Sequence, residues 1–302
     1  MTATRLSNRA ASEFRFAGSR WRALALLASW LAAIPAAVGQ IGTAAAQSPP
    51  ANGNPAPDDY NGLDYTRPQQ DASLRLRFLV SSSATSRTDQ ERIYLRLGTK
   101  IDVPEGWQLG LQGQAPFVDK EVTKLATANV TRTDGLGDSF AQAALSHDID
   151  RHWAYGFGIR LEAPTGGDAL VSGKWQAMPG LGVRYSFLEL GPDTYFVPVL
   201  RWALSFSGNP SKPTINQPQI APTLNIGLPQ HWYFILYPSN DIRINTGTPV
   251  AGQTGRLFLP FDFAVGRNFT DRVSAHIEVS VPIIKDYPVY NFKTELRVSM
   301  KF

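Results

Sequence analysis

The chain of 302 residues holds no cysteine, 25 glycines, 22 prolines and a formal charge of +4. The lack of cysteine excludes a disulfide scaffold and cysteine-ligated zinc or iron–sulfur centres, and the lack of a long apolar run after the N-terminal region excludes a polytopic helical membrane protein. Five arginines and one glutamate fall within residues 1–46, which leaves 24 basic and 24 acidic residues over 47–302, so the basic balance belongs to the leader and argues for no nucleic-acid partner.

Arg20 and Arg22 precede an apolar stretch from Ala23 to Val38, and Ala44-Ala45-Ala46 follows. This is the pattern of a secretory signal peptide over residues 1–46, cleaved before Gln47. Residues 47–72 contain five prolines and almost no aliphatic side chains. They cannot bury enough surface to offset the entropy of ordering, and read as a disordered periplasmic linker.

From residue 73 to 302 a period of two takes over, the mark of strands with one polar and one apolar face. Leu74, Leu76, Phe78 and Val80 share a face, as do Ile93, Leu95, Leu97 and Ile101, then Trp107, Leu109, Leu111 and Phe117. Ala141, Ala143 and Leu145 form a weaker fourth segment, followed by Trp153, Tyr155, Phe157, Ile159 and Leu161, and by Trp175, Leu181, Val183 and Phe187. The seventh and eighth segments carry Phe196, Leu200 and Trp202, then Ile220, Leu224 and Ile226. The ninth carries Trp232, Phe234, Leu236, Ile242 and Ile244, opposite Tyr233, Tyr237 and Asp241. Leu257, Phe261 and Val265, then Val273, Ile277 and Val281, then Tyr290, Phe292, Leu296 and Val298 complete twelve. No lysine, arginine, aspartate or glutamate stands on the apolar parity.

A soluble sandwich also alternates, but four further features point to lipid. The segments are about ten residues long, enough for a tilted strand to cross a bilayer. Short connections (102–106, 148–152, 188–194, 229–231, 267–272) alternate with longer ones (82–92, 118–135, 163–174, 207–219, 245–256), broken only by 284–289. Aromatics end the apolar faces: Trp107, Trp153 and Trp232 near short turns, Phe117, Trp175, Phe206 and Tyr290 near long loops. The chain also ends in an alternating strand with Phe302, which resembles the insertion signal of Gram-negative outer-membrane barrels. Pro179, Pro198, Pro222 and Pro260 fall inside candidate strands, where bulges or irregular pairing are expected. The fold class is therefore all-β: an antiparallel transmembrane β-barrel of about 12 strands.

Asp134-Gly135-Leu136-Gly137-Asp138, Pro164-Thr165-Gly166 and Gly173-Lys174-Trp175 mark glycine-rich loop ends. Together they resemble the outer-membrane transporter family of the MetA pathway of phenol degradation, by motif over roughly residues 130–190 and by general pattern over 73–302. The resemblance implies an outer-membrane barrel that passes small, often aromatic, organic compounds.

On the inward parity stand eleven cations and five acids. Arg96, Arg160, Glu162, Arg184, Arg201, Asp262, His276, Glu278, Glu295 and Arg297 are the candidate pore-lining residues. Arg160, Arg184 and Arg201 are expected to form a cationic constriction, with Glu162 and Glu278 each neutralising one charge. A filled salt-bridge network is the competing reading. His147, His152, His231 and His276 have no partner at metal-ligand spacing. Ser274, His276 and Glu278 share one strand face and suggest a hydrolase or lipid-modifying enzyme, but residues i and i+2 stand nearly 7 Å apart along a strand, which suits polar lumen filling better than a triad. A structural barrel with partner-binding loops is the third alternative. The sequence thus predicts a non-enzymatic outer-membrane channel for small organic solutes, without cofactor, whose partners are outer-membrane lipids, the barrel-assembly machinery and the solute.

Overall fold

The structure is a computed structural model and describes residues 64–302 other than 84 and 192. The signal peptide and most of the linker lie outside the described residues. Seven strands form the first half of the wall in chain order: β1 (Asp71–Ser82), β2 (Ser86–Val103), β3 (Trp107–Lys124), β4 (Val130–Leu136), β5 (Ser139–Asp148), β6 (Trp153–Ala163) and β7 (Lys174–Ser186). The second half comprises β8 (Tyr195–Gly208), β9 (Asn216–Gly227), β10 (Trp232–Leu236), β11 (Ile242–Ile244), β12 (Leu257–Asn268), β13 (Val273–Lys285) and β14 (Phe292–Lys301). All pairings are antiparallel, and β1 pairs β14, so the sheet closes on itself. β4 and β5 both pair β3, and β10 and β11 both pair β9 and β12. Each of these pairs is one wall strand with an interruption, which makes twelve strands in a closed antiparallel barrel.

Burial is inverted relative to a soluble protein. Phe157, Leu161, Leu200, Trp202, Phe261, Ile277 and Val298 are exposed, while Arg96, Arg184, Glu278, Glu295 and Arg297 are at most 1 % exposed. Soluble proteins rarely expose so continuous an apolar surface, whereas a spanning barrel requires one, since its solvent is hydrocarbon. Closure also satisfies the backbone donors and acceptors that lipid cannot. Two short turns share the pattern Pro-x-x-Trp: Pro104–Gly106 before Trp107 and Pro229–His231 before Trp232 each form a single 3-10 turn. The tryptophan then opens the next strand at the membrane edge, where an amphipathic ring is favoured.

Four details differ from the sequence reading. First, β2 and β3 each run for 18 residues, so most of the expected loops at 82–92 and 118–135 is strand. The alternation there is polar on both faces, as suits strands rising past the bilayer into water. Second, Tyr290 is not in the aromatic belt but 2 % exposed inside, its hydroxyl bonded to Ser280 and Asp241. Third, the ninth segment breaks at Tyr237, which has a φ of 50°, and residues 239–241 turn inward. Tyr237-Pro238-Ser239-Asn240 is turn chemistry in the middle of an apparent strand. Fourth, residues 64–72 do not belong to a disordered linker: Tyr65 is fully buried and β1 already begins at Asp71.

Four of the strand prolines, Pro179, Pro198, Pro222 and Pro260, sit where ladders lapse. Pro198 and Pro222 oppose one another across β8 and β9. Register partners of β8 on β7 are missing between Val199 and Phe196, and β9 between Ile220 and Leu224 faces the break between β10 and β11. Pro179 lies in a second gap of the β7–β8 ladder, and Pro260 follows a bulge at Leu259. A proline has no N–H to donate, so each occupies a place where its other neighbour asks for none.

Candidate functional site

The lumen holds three layers. At the short-turn end, residues 64–70 run along the inner wall from β1 towards β7 and β8. Backbone of Tyr65 lies against Gly156 and its ring against Gly180, where a Cβ would come within 2.6 Å of the ring. Only glycine leaves room for that approach. Tyr65 packs with Tyr195, Val197, Val199, Tyr233 and Ile235, a small apolar core inside the barrel. The run Tyr195-Phe196-Val197-Pro198-Val199-Leu200 is apolar on both parities, which is the sequence signal that the lumen is filled at this level. Arg184 donates from Nε to Thr66 Oγ1 at 3.1 Å, forms an ion pair with Asp64, and lies 3.8 Å from the Tyr195 ring centre. Arg96 likewise pairs with Asp71 at 2.5 Å. Arg184 anchors this N-terminal segment and Arg96 the first residue of β1, so Arg184 is not the uncompensated constriction charge that the strand pattern suggested.

The second layer is a charge network on β11 to β14 and β1. Lys293 Nζ forms ion pairs with Asp241 and Glu278 and lies 3.5 Å from Asp262. Ser239 Oγ donates to Glu278 at 2.7 Å. Arg77 pairs with Glu295 at 2.6 Å and Arg75 with the same carboxylate at 3.6 Å. Glu278 therefore compensates Lys293 rather than an arginine of the expected constriction. Asp241, Asp262 and Glu278 converge closely enough to hold a metal ion, as do His276, Glu278 and Glu295. In the first set the ammonium of Lys293 already stands where a cation would, and in the second both carboxylates already face cationic side chains. His276 Nδ1 is 3.5 Å from the Tyr233 hydroxyl, and Arg297 is its cross-strand neighbour.

The third layer is a cavity of about 470 Å³. Its wall includes Arg75, Arg77, Arg160, Glu162, Arg201 and Arg243 from the strands, together with Asn240 and Asp241 from the inward bend and residues 169–172 from the loop after β6. That loop is pinned by Lys120 Nζ donating to the Ala169 carbonyl at 2.8 Å and by Asp138 accepting the Ser172 N–H at 2.8 Å. Seven cations and three acids line the cavity. Arg243 pairs with Asp241, but Arg160 and Arg201 are held by the glutamines Gln142 and Gln219, and Glu162 by Gln176. Neither the inward bend nor the loop was visible in the strand alternation, because both depend on where non-repetitive backbone folds.

Comparison with known proteins follows the same lines. The sequence model of the family described as "Putative MetA-pathway of phenol degradation" matches residues 93–280. No curated protein matches the sequence. Among solved structures, an outer membrane channel from Pseudomonas putida F1 is 17% identical with a TM-score of 0.61, over 85% of this chain and 100% of that one. The β domain of the Bordetella autotransporter Brka is 10% identical with a TM-score of 0.50, over 78% of this chain and 100% of that one. At these identities the likeness is one of fold.

Proposed function

We propose that this chain, which belongs to the family of the MetA pathway of phenol degradation, is a passive outer-membrane channel for small, weakly polar or anionic organic solutes. Export by the signal peptide and insertion through the C-terminal Phe302 strand are part of the same reading, with short turns towards the periplasm. The observation that carries it is the cavity: a polar, arginine-rich space inside a closed barrel whose outer face is apolar. A barrel that served only as a scaffold has no need for cations held open to a cavity, since filling with matched pairs costs less. The P. putida channel is described as an outer membrane channel, and its fold is the one found here.

Two arginines dominate the expected selectivity. Arg160 and Arg201 sit in a narrow low-dielectric space where a few charges set the potential. Replacing both by glutamine keeps bulk and hydrogen bonding while removing two charges. In planar bilayers under a KCl gradient, the reversal potential of the double variant shifts towards cation preference. The shift is larger at low salt, since the Debye length grows from about 10 Å at 0.1 M to about 30 Å at 0.01 M. A purified protein that never conducts at any voltage overturns the channel reading.

The hydrolase alternative is tested separately. His276 is 3 % exposed within the lumen and turned from lipid, and Glu278 is committed to Lys293. His276→Ala is expected to leave phospholipid and lipopolysaccharide acylation of the host membrane unchanged, and loss of a deacylase activity in that variant would establish an enzyme instead.

A further inference from the structure

The glycine-rich motifs at 134–138, 164–166 and 173–175 meet at one place, the loop between β6 and β7. Both ends of that loop are tied to the wall. Thr165 Oγ1 donates to the Gly137 carbonyl at 2.6 Å, and Gly166 lies so close to Leu136 that a Cβ would come within 1.7 Å of its carbonyl oxygen. At the other end the Ser172 N–H donates to Asp138 at 2.8 Å and the Asn209 N–H to the Gly173 carbonyl at 2.8 Å. Between these ties residues 167–170 form a turn, closed by the Leu170 N–H on the Gly167 carbonyl at 2.8 Å. Residues 167–169 are exposed, while 169–172 line the cavity. The turn therefore stands between the cavity and the water at the long-loop end.

Two ammonium groups hold this turn through neutral acceptors. Lys212 Nζ donates to the Asp168 carbonyl at 2.7 Å, and Lys120 Nζ to the Ala169 carbonyl at 2.8 Å. Arg92 stands beside them: it is two residues from Gln90, the cross-strand partner of Lys120, and donates to Gln90 Oε1 at 3.1 and 2.6 Å. The charges of Arg92 and Lys212 both act on Lys120, so three cations gather at this mouth. The charge of Asp138 reaches Arg92 and Lys212, but its carboxylate is bound to the Ser172 N–H. Among the described residues none of the three cations forms an ion pair. A carbonyl accepts the ammonium hydrogen bond yet leaves the charge uncompensated. A carboxylate oxygen in the same place accepts the same bond and adds opposite charge at contact distance, in a half-buried position that water screens less than an open surface.

We propose that Lys120 and Lys212, with Arg92 beside them, form an entry site for the carboxylate of the anionic solute. The carboxylate takes the place of the Asp168 and Ala169 carbonyls and releases the turn from the mouth of the cavity. The tied ends at Thr165 and Ser172 confine the motion to the residues between them. The proposal rests on the channel reading and names the solute class and the part of the wall that meets it first.

Benzoate and its neutral analogue benzamide serve as probes, because they share shape and differ in charge. Calorimetric titration of the detergent-solubilised protein at fixed ionic strength is expected to show saturable binding of benzoate and at least about tenfold weaker binding of benzamide. Lys120→Met with Lys212→Met keeps side-chain length and removes both charges. Benzoate affinity is expected to fall by about tenfold or more, the size of one lost charge-assisted hydrogen bond. Lys212→Met alone is the second variant, with a smaller loss in the same direction, and heat-modifiable gel mobility reports folding of each. The chain has no cysteine, so Ala169→Cys creates a single labelling site on the exposed turn. A nitroxide there is expected to gain mobility as benzoate saturates, and to be mobile without benzoate when both lysines are replaced. Benzoate affinity unchanged in the folded double variant, or a label as immobile at saturating benzoate as without it, overturns the proposal. Bilayer conductance of the same preparations separates the two readings: a conducting protein without benzoate binding removes the entry site alone, and a silent protein that binds benzoate through both lysines removes the channel alone.

Discussion

Replacing Lys293 by methionine is expected to destabilise the barrel more than any other single lumen substitution. Its ammonium forms ion pairs with Asp241 and Glu278 and lies 3.5 Å from Asp262, and all four side chains are buried. Methionine keeps the length and removes the charge, so three carboxylates are left facing one another inside the barrel. Removing one partner from a buried ion pair costs about 3–5 kcal/mol, because the remaining charges stay desolvated and uncompensated. Urea unfolding of the protein refolded in vesicles measures the loss, and heat-modifiable gel mobility at lowered temperature reports it directly. The cost belongs to charge and not to packing, so adding Asp241→Asn and Glu278→Gln to Lys293→Met is expected to restore most of the stability. A Lys293→Met protein as stable as the parent would show that water reaches the cluster freely.

The second large effect concerns the segment at the short-turn end. Residues 64–70 place Tyr65 at the centre of the apolar core with Tyr195, Val197 and Tyr233, and cross the wall at Gly156 and Gly180. An eight-stranded barrel is just filled by its own side chains, and a twelve-stranded one is wider, so this additional chain accounts for the filling at that level. Deleting residues 64–69 is expected to raise single-channel conductance roughly two- to fivefold, as water replaces the ring and its backbone. Gly156→Val tests the same point by sterics alone, since the added carbons meet the Tyr65 carbonyl and push the segment from the wall. It is expected to raise conductance by a smaller amount. Unchanged conductance in both proteins would place the narrowest point elsewhere, at residues 169–172 or the inward bend.

Arg184 illustrates why the lumen could not be read as fully as the wall. Its inward direction followed from parity, because side chains alternate strictly along a strand. Its partner did not, because Asp64 lies 120 positions away and reaches it only through the path of the N-terminal segment. Glu278 shows the same division: its strand face was legible, whereas its pairing with Lys293 depends on the register of β13 against β14. Tyr290 was placed on the wrong face because the alternation was carried past the strand end at Phe292 into the loop. The prolines were legible as irregularities but not as paired ladder gaps, since Pro198 and Pro222 meet only across two strands.

What the sequence determined by itself was the barrel and its two faces. Apolar and polar residues alternate over twelve segments, and a one-residue slip in most of them would turn charges into lipid at a cost of several kcal/mol each, so the pattern admits one orientation. The resemblance in the glycine-rich motifs added the family, whose model matches residues 93–280. What only the tertiary structure decided was how the interior is used. Residues 64–70 close one end, Lys293 and Arg77 meet carboxylates on one side, and glutamines hold Arg160 and Arg201 on the other. The physical reason is one of range. Facing in or out is a local property of a strand with a period of two, while compensation of a buried charge depends on which distant side chain arrives within about 4 Å of it.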